Sequence, residues 1–460
     1  MSSPSIPEGA PENFVGLDFQ CDCGKRHTVR VKHVSVGSGV LRRIPATLHD
    51  LGLTGRFALV YDRHIEPIAR RRLFPVLDRP GVYYDAVCFE KDEELYGSVE
   101  TSDEMRALIA REAHGRPTFL MVMGSGTMND LTKWAATVMD IPYIAVATAP
   151  SMNGYTSSIA ALSQGGFKTT QDITPPVAVF ADVDVLRDAP LDMIRAGLGD
   201  LLSKNVCNAD WRLSHLLRGT YFCDVPHRLT HRQEEYYLAH ASELGGRDAR
   251  AVGMLTEAIM NSGFSMAIVG ESSPSSGAEH LISHYWEMQH ELAGKPIRLH
   301  GAQVGVGTLI AAEVYDRVLR LTADDVDLDI ARRNYKGEKD LRKIVDARYG
   351  PVADRTFDET RRKVRGLDEE LAALGKLKSE WDATWRDVGR YLRTRGELEA
   401  ALEAAGAPTR ASDLGFTRDE TADAIRYARL MRNRYTVLDL ADALGRLDAW
   451  ADEIAAEFTS

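Results

Sequence analysis

Cysteine is scarce in this chain, and its scarcity is the first of several exclusions. Five cysteines in 460 residues, scattered and odd in number, give no disulfide framework. They predict reduced thiols and a cytoplasmic setting. No apolar run approaches the roughly 20 residues that cross a bilayer, so no membrane span is expected. Positive charge is not in excess: 56 Lys and Arg stand against 67 Asp and Glu, for a formal net charge of -11. A nucleic-acid surface needs a basic field, so that partner is excluded. The start, Met1 to Glu12, is rich in Pro and Ser and lacks the apolar core of a signal peptide. Internal repeats and low-complexity segments are also missing.

What is present is ordinary for a soluble globular protein: 44% hydrophobic and 27% charged residues, in a length that allows two domains with real cores. Residues 13–35 read as a β-hairpin, with Phe19-Gln20-Cys21 and Thr28–Val31 alternating and Asp22–Lys25 as the turn. Cys21, Cys23 and His27 have the chemistry of zinc ligands. No second Cys pair lies nearby, so they read as ordinary hairpin residues. Apolar β-type runs then alternate with helical segments: Phe57–Tyr61, Phe119–Met123, Tyr143–Ala147 and Val177–Ala181. That alternation predicts a parallel α/β domain. The second run enters Gly124-Ser125-Gly126-Thr127-Met128-Asn129-Asp130 and a helix. Glycines between a strand and a helix N-terminus let backbone N–H groups approach a pyrophosphate. The third run opens into Thr148–Ser157, a loop of hydroxyls and small residues that suits a ligand at the carboxyl edge of a sheet. Asp62 follows the first run, where a carboxylate can accept from a ribose diol.

From Leu186 helices dominate, with Met193–Leu217, Thr230–Asn261, Gly277–Leu292 and Gln303–Leu319 as the clearest. His280 and His284 stand four apart on one of them, so both imidazoles project from one face. His300 follows in a loop-like stretch, and Asp200 begins another helical run. Asp200, His280 and His300 together offer two nitrogens and one oxygen. Such a set leaves a metal's fourth position open, as catalytic sites do. Segment 324–408, rich in Glu, Arg, Ala and Leu, reads as a solvated helical layer.

Ordered blocks carry a resemblance that runs from about Cys21 to Leu444. They are GSGTMNDLTKWAA at 124–136, ATAPSMNGYTS at 147–157, AGLGDLLSKN at 196–205, SSPSSGAEHLISHYWEM at 272–288, LHGAQVGVGT at 299–308 and RNRYTVLDL at 432–440. The chain resembles the sn-glycerol-1-phosphate dehydrogenase family, including its bacterial arabinose-operon type. That family lies within the metal-dependent alcohol dehydrogenase and dehydroquinate synthase superfamily. The resemblance implies an N-terminal Rossmann-like parallel-sheet domain at 36–185, preceded by a hairpin extension at 1–35. It implies a helical metal- and substrate-binding domain at 186–460.

It also implies roles. Asp62, Gly124, Ser125, Gly126, Asn129, Asp130, Thr148, Ser151 and Ser157 match cofactor positions. Asp200, His280 and His300 match metal ligands. His284 and Asp200 match catalytic positions, and Asn153, Asp200 and His284 face the substrate. The cofactor is NAD, with NADP as the alternative, and Asp62 favours NAD because a carboxylate repels a 2′-phosphate. One divalent metal is implied, zinc first, with nickel or iron as alternatives. The substrate is a small polyol or its ketone, phosphorylated or free, and the assembly a homo-oligomer, a dimer. The implied reaction interconverts glycerol 1-phosphate and dihydroxyacetone phosphate.

Three positions depart from the family pattern. Asn153 stands for Asp, Ser273 for Arg and Ala302 for Glu. Losing the Arg removes a bidentate phosphate partner, which raises the alternative of a non-phosphorylated polyol. A dehydroquinate-synthase-like lyase is the other alternative, and it needs a cluster of Lys and Arg that is not evident here.

Overall fold

Runs that are apolar at every position belong to strands covered on both faces. The structure, a computed structural model that describes residues 9–91 and 95–460, places four such runs side by side. Residues 1–8, most of the Pro/Ser-rich start, lie outside the described residues. The chain divides into two compact units. The first takes in residues up to Gln164, then Lys168–Leu201 and Asp224–Ser272. The second takes in Gly165–Phe167, Leu202–Cys223 and Ser273–Ser460.

The strands are β1 (Asp18–Gln20), β2 (Arg26–Thr28), β3 (His33–Gly37), β4 (Arg56–Asp62), β5 (Tyr83–Phe89), β6 (Leu120–Gly124), β7 (Tyr143–Ala147), β8 (Ile159–Gln164), β9 (Phe167–Asp172) and β10 (Ala178–Asp182). Six form one parallel sheet in the order β3-β10-β7-β6-β4-β5. Every residue of β6, β7 and β10 is buried. The core beneath includes Phe57 stacked on Phe119 at 4.5 Å, with Leu59, Leu73, Ile144 and Phe180 around them. Burying such side chains stabilises by about 1.5–3 kcal/mol each.

Three helices matter in this unit: α1 (Gly126–Met139), the first half of α2 (Leu191–Arg218), and α4 (Ala249–Val269), which follows α3 (Val225–Ala239). Among the described residues α4 alone is long and apolar enough to cross a membrane, but 78% of that apolar window is buried inside the protein. It is a core helix. The second unit is helical. Its α5 (Ala278–Leu292) and α6 (His300–Leu319) pack on each other, and α7 (Val437–Ala443) joins them. An α/β first part with a helical remainder is the expected class.

Three local expectations fail. The hairpin is shorter than residues 13–35, because His33–Gly37 leaves it to pair with β10 as the sheet's edge. β5 is an unexpected strand. Its charged Asp85 points inward, where Arg56 and His114 satisfy it at 3.0 and 2.8 Å. The single helix expected over Thr230–Asn261 breaks after Ala239. Arg247 there adopts a left-handed φ of 55°, and Asp248 caps α4 through the N–H groups of Arg250 and Ala251.

Candidate nucleotide and metal site

In the first unit the strand order reverses beside β4: the chain goes outward to β5, then returns to β6 on β4's other side. The carboxyl ends of β4 and β6 flank that reversal, where open α/β sheets bind ligands. β4 ends at Asp62 and β6 at Gly124. Ser125 is the N-cap of α1 in extended conformation and makes no side-chain capping bond. The first-turn N–H groups and the helix dipole therefore face that edge without a side chain from Ser125 across them. Asp62 is buried, and its Oδ1 accepts from the N–H groups of His64 and Ile65 at 2.8 and 3.1 Å. One of its oxygens thus closes the turn.

Behind this edge the loop after β7 is clamped from several sides. Thr148 N–H donates to the Gly124 carbonyl at 3.1 Å, and the Tyr155 hydroxyl to that of Ala149 at 2.9 Å. A Cβ on Gly197 of α2 would sit 1.7 Å from the Pro150 oxygen, and one on Gly263 of α4 2.1 Å from Thr156 Oγ1. Only glycine permits both approaches. Lys133 of α1 is fully buried, and its Nζ donates to the carbonyls of Gly154 and Ile159 at 2.7 and 2.9 Å. Burial lowers its pKa. Ser157 is also fully buried, and its hydroxyl donates within the loop. Asn129 and Asp130 bond to each other, and Asp130 accepts from Ala161 N–H. Ser151 is buried on the same loop.

The loop ends on Asp200. Asn153 donates through its backbone N–H to Oδ2 at 2.9 Å and through its side-chain amide to Oδ1 at 3.1 Å. The residue expected to face substrate spends its amide on the carboxylate expected to hold metal.

In the second unit α5 and α6 bring three imidazoles together. Ring centroids of His280 and His300 lie 5.3 Å apart, of His284 and His300 5.5 Å, and of His280 and His284 5.9 Å. Ligand nitrogens of His280 and His300 come within 4.8 Å of each other. Each Nδ1 faces a buried carboxylate: His280 with Glu279 Oε1 at 2.8 Å, His300 with Glu287 Oε1 at 3.0 Å. A carboxylate only accepts, so each Nδ1 donates and each Nε2 keeps its lone pair. Glu279 Oε1 also accepts from Gly277 N–H at 2.7 Å, which ties the start of α5 to the same carboxylate. Asp210 holds three further groups of this unit: Ala278 N–H, Val437 N–H and the Tyr315 hydroxyl, each at 2.7 Å. Burial and the Glu279 charge raise its pKa to about 7. Ser273 is buried in a one-turn helix with Pro274 and Ser275. Arg434 donates to the carbonyl of Ser276 beside that turn.

Sequence reading gave no role to Glu279, Glu287, Lys133, Asp210 or Arg434. Each lies inside or beside one of the quoted blocks. Glu279 directly precedes His280, and Lys133 falls three residues after Asp130 on one helical face.

Residues 35–190 match the family model described as iron-containing alcohol dehydrogenase. A protein of Geobacillus stearothermophilus named glycerol-1-phosphate dehydrogenase [NAD(P)+] is 35% identical over 429 residues, which is 93% of this chain and 96% of that one. One of the same name from Methanosarcina acetivorans is 31% identical over 61% of this chain and 75% of its own. Among solved structures, a probable glycerol dehydrogenase from Sinorhizobium meliloti 1021 aligns with TM-score 0.56 at 17% identity, covering 92% of this chain and 98% of that one. Sulfoacetaldehyde reductase from Bifidobacterium kashiwanohense in complex with NAD+ aligns with TM-score 0.57 at 16% identity, covering 94% and 98%. At these identities the structures show a shared fold.

Proposed function

This chain belongs to the glycerol-1-phosphate dehydrogenase family of the iron-containing alcohol dehydrogenases, and on that premise we propose that it interconverts sn-glycerol 1-phosphate and dihydroxyacetone phosphate with NAD(H). The observation that carries the proposal is the pair of imidazoles, His280 and His300, each backed by a buried glutamate and each offering Nε2. Metal-binding histidines are oriented in this way.

We assign Asp200, His280 and His300, the ligand positions that the sequence blocks match, to one divalent metal, zinc by preference over nickel or iron. Gly124–Asp130, with Thr148 and Ser151, would hold the dinucleotide phosphates. Asp62 would take the adenosine ribose. Ser157 and Asn129 serve by fixing the loop and helix that present the others. When bound, the metal supplies a Lewis acid for the substrate oxygen and the nicotinamide supplies the hydride acceptor or donor.

The chain's own residues do the rest. Asn153 and Asp200 set the charge beneath the substrate: a neutral amide holds a carboxylate rather than adding a second one. His284, stacked on His300, takes or gives the hydroxyl proton. Arg434 brings a guanidinium to the turn where Ser273 lacks one. Burial and the Arg434 charge depress the pKa of neighbouring Arg432, as a cationic pocket does. These two support a phosphorylated substrate over a free polyol. The proposal includes a cytoplasmic setting and a homodimer. It is tested by following NADH oxidation with dihydroxyacetone phosphate, dihydroxyacetone and related ketones. Efficient turnover confined to the unphosphorylated ketones would overturn it.

A further inference from the structure

Segment 324–408 reads from its sequence as a solvated helical layer, and the proposed reaction gives it no role. Within the second unit, however, some of its charged residues line a cavity of about 80 Å³, together with the end of α2 and part of α7. A volume of about 10–15 Å³ holds one water, so this cavity takes several waters or one small ion.

Five basic side chains line the cavity, and three carboxylates answer them. Arg218, the last residue of α2, takes both oxygens of Glu370, at 2.6 and 2.7 Å. Asp442 is shared between Lys336 at 2.6 Å and Arg429 at 2.7 Å. Asp439 is shared between Lys363 at 2.7 Å and Arg429 at 3.4 Å. Arg365 finds no carboxylate among the described residues, and its guanidinium donates to the Arg218 carbonyl. In their usual charge states these groups carry two more positive charges than negative. Burial and the Arg429 charge lower the Lys363 pKa, against the pull of Asp439. The Nε donors of Arg218 and Arg429 are buried and have no hydrogen-bond partner. Surplus buried charge and unmatched buried donors are both costly. The network therefore lacks an anion rather than a cation.

We propose that this cavity binds a phosphoryl dianion, inorganic phosphate or the phosphoryl end of a small metabolite, at a site separate from the centre that binds substrate. Two negative charges cancel the surplus, and guanidinium forks match the oxygens of a phosphate. None of the lining residues is assigned to cofactor, metal or substrate. Lys363 Nζ also donates to the carbonyls of Arg429 and Arg434, at 2.6 and 2.9 Å. A bound anion thus steadies the segment from Arg429 to Arg434, and a ligand of the folded chain alone raises its stability.

The test is equilibrium dialysis of the intact wild-type chain against radiolabelled inorganic phosphate, with chloride holding the ionic strength constant. Saturable binding is expected, and phosphate should raise the melting temperature relative to chloride. Lys336 and Arg365 are only half-buried, so their charges can be removed with little loss of packing. Lys336→Gln and Arg365→Gln should each weaken phosphate binding by about tenfold or more, while KM for dihydroxyacetone phosphate stays as in wild type. Arg434→Ala should keep the binding, so failure of the substrate reading does not count against this cavity. Methyl phosphate as competitor separates the two sources: displacement of the label points to a phosphorylated metabolite, and no displacement to free phosphate. Absence of saturable binding in wild type overturns the site, and that result needs no variant to fold. Binding that neither Lys336→Gln nor Arg365→Gln weakens also overturns it, because the phosphate then sits elsewhere.

Discussion

Asn153 holds both oxygens of Asp200, one by its backbone N–H at 2.9 Å and the other by its side-chain amide at 3.1 Å. The amide is neutral and donates. An aspartate at the same position would place a second carboxylate within hydrogen-bond reach of the first, and the pair would have to share a proton. Asn153→Asp should therefore make metal binding more dependent on pH and weaken it most at low pH, where the proton shared by the two carboxylates competes with the metal. Metal titration of the stripped enzyme at two pH values checks this. Equal affinity in wild type and variant would show that Asn153 is only a spacer.

Asp62 gives the cofactor prediction. Its Oδ1 closes the turn after β4, so Asp62→Asn keeps that oxygen and removes only the charge. The NADH-to-NADPH ratio of kcat/KM should fall by about tenfold, equivalent to about 1.4 kcal/mol. A wild type that already uses NADPH as well as NADH contradicts the assignment.

Arg434 carries the phosphate argument. A charge-assisted hydrogen bond to phosphate contributes about 1.5–3 kcal/mol, so Arg434→Ala should raise KM for dihydroxyacetone phosphate by about ten- to a hundredfold. KM for free dihydroxyacetone should hardly move. Adding an arginine through Ser273→Arg should bring no gain. If both substrates suffer equally in Arg434→Ala, the guanidinium only braces the Ser276 carbonyl.

Asp210 makes stability depend on pH. Burial and the charge of Glu279 raise its folded pKa from 3.8 to about 7. Between those values the folded protein keeps a proton that the unfolded chain has released. The contribution is therefore complete below the unfolded value and is lost as pH rises toward about 7. Asp210→Asn stays neutral throughout and lacks this decline. Urea unfolding across that range should show the variant gaining on wild type, by at most about 1.4 kcal/mol per pH unit. Parallel curves would mean that Asp210 titrates normally.

How far the sequence could be read depended on whether its signal was local. β4, β6, β7 and β10 were legible because a strand covered on both faces must be apolar at each position. β5 was not, since Tyr83 is exposed and the inward Asp85 interrupts the pattern, and nothing in the sequence shows that Arg56 and His114 await it. The break after Ala239 turns on one left-handed residue, Arg247, which is not a residue type that announces a turn. In the site, His280 and His284 were visible as a helical pair. Their orienting carboxylates were not: Glu287 reaches His300 across thirteen residues, and only the packing of α5 on α6 closes that distance.

The proposed metal ligands are His280, His300 and Asp200, with His284 left to the substrate. A second set, His284, Glu287 and His300, also offers three ligand atoms. Glu287 Oε1 is already 3.0 Å from His300 Nδ1, which fits the role of an outer partner better than that of a ligand. The deciding measurement is metal per chain in His280→Ala beside His284→Ala, with turnover recorded on the same samples. His280→Ala should lose one equivalent of metal together with activity, and His284→Ala should lose activity while its metal content equals that of wild type. Full metal content in His280→Ala, with the loss falling on His284→Ala instead, would contradict it.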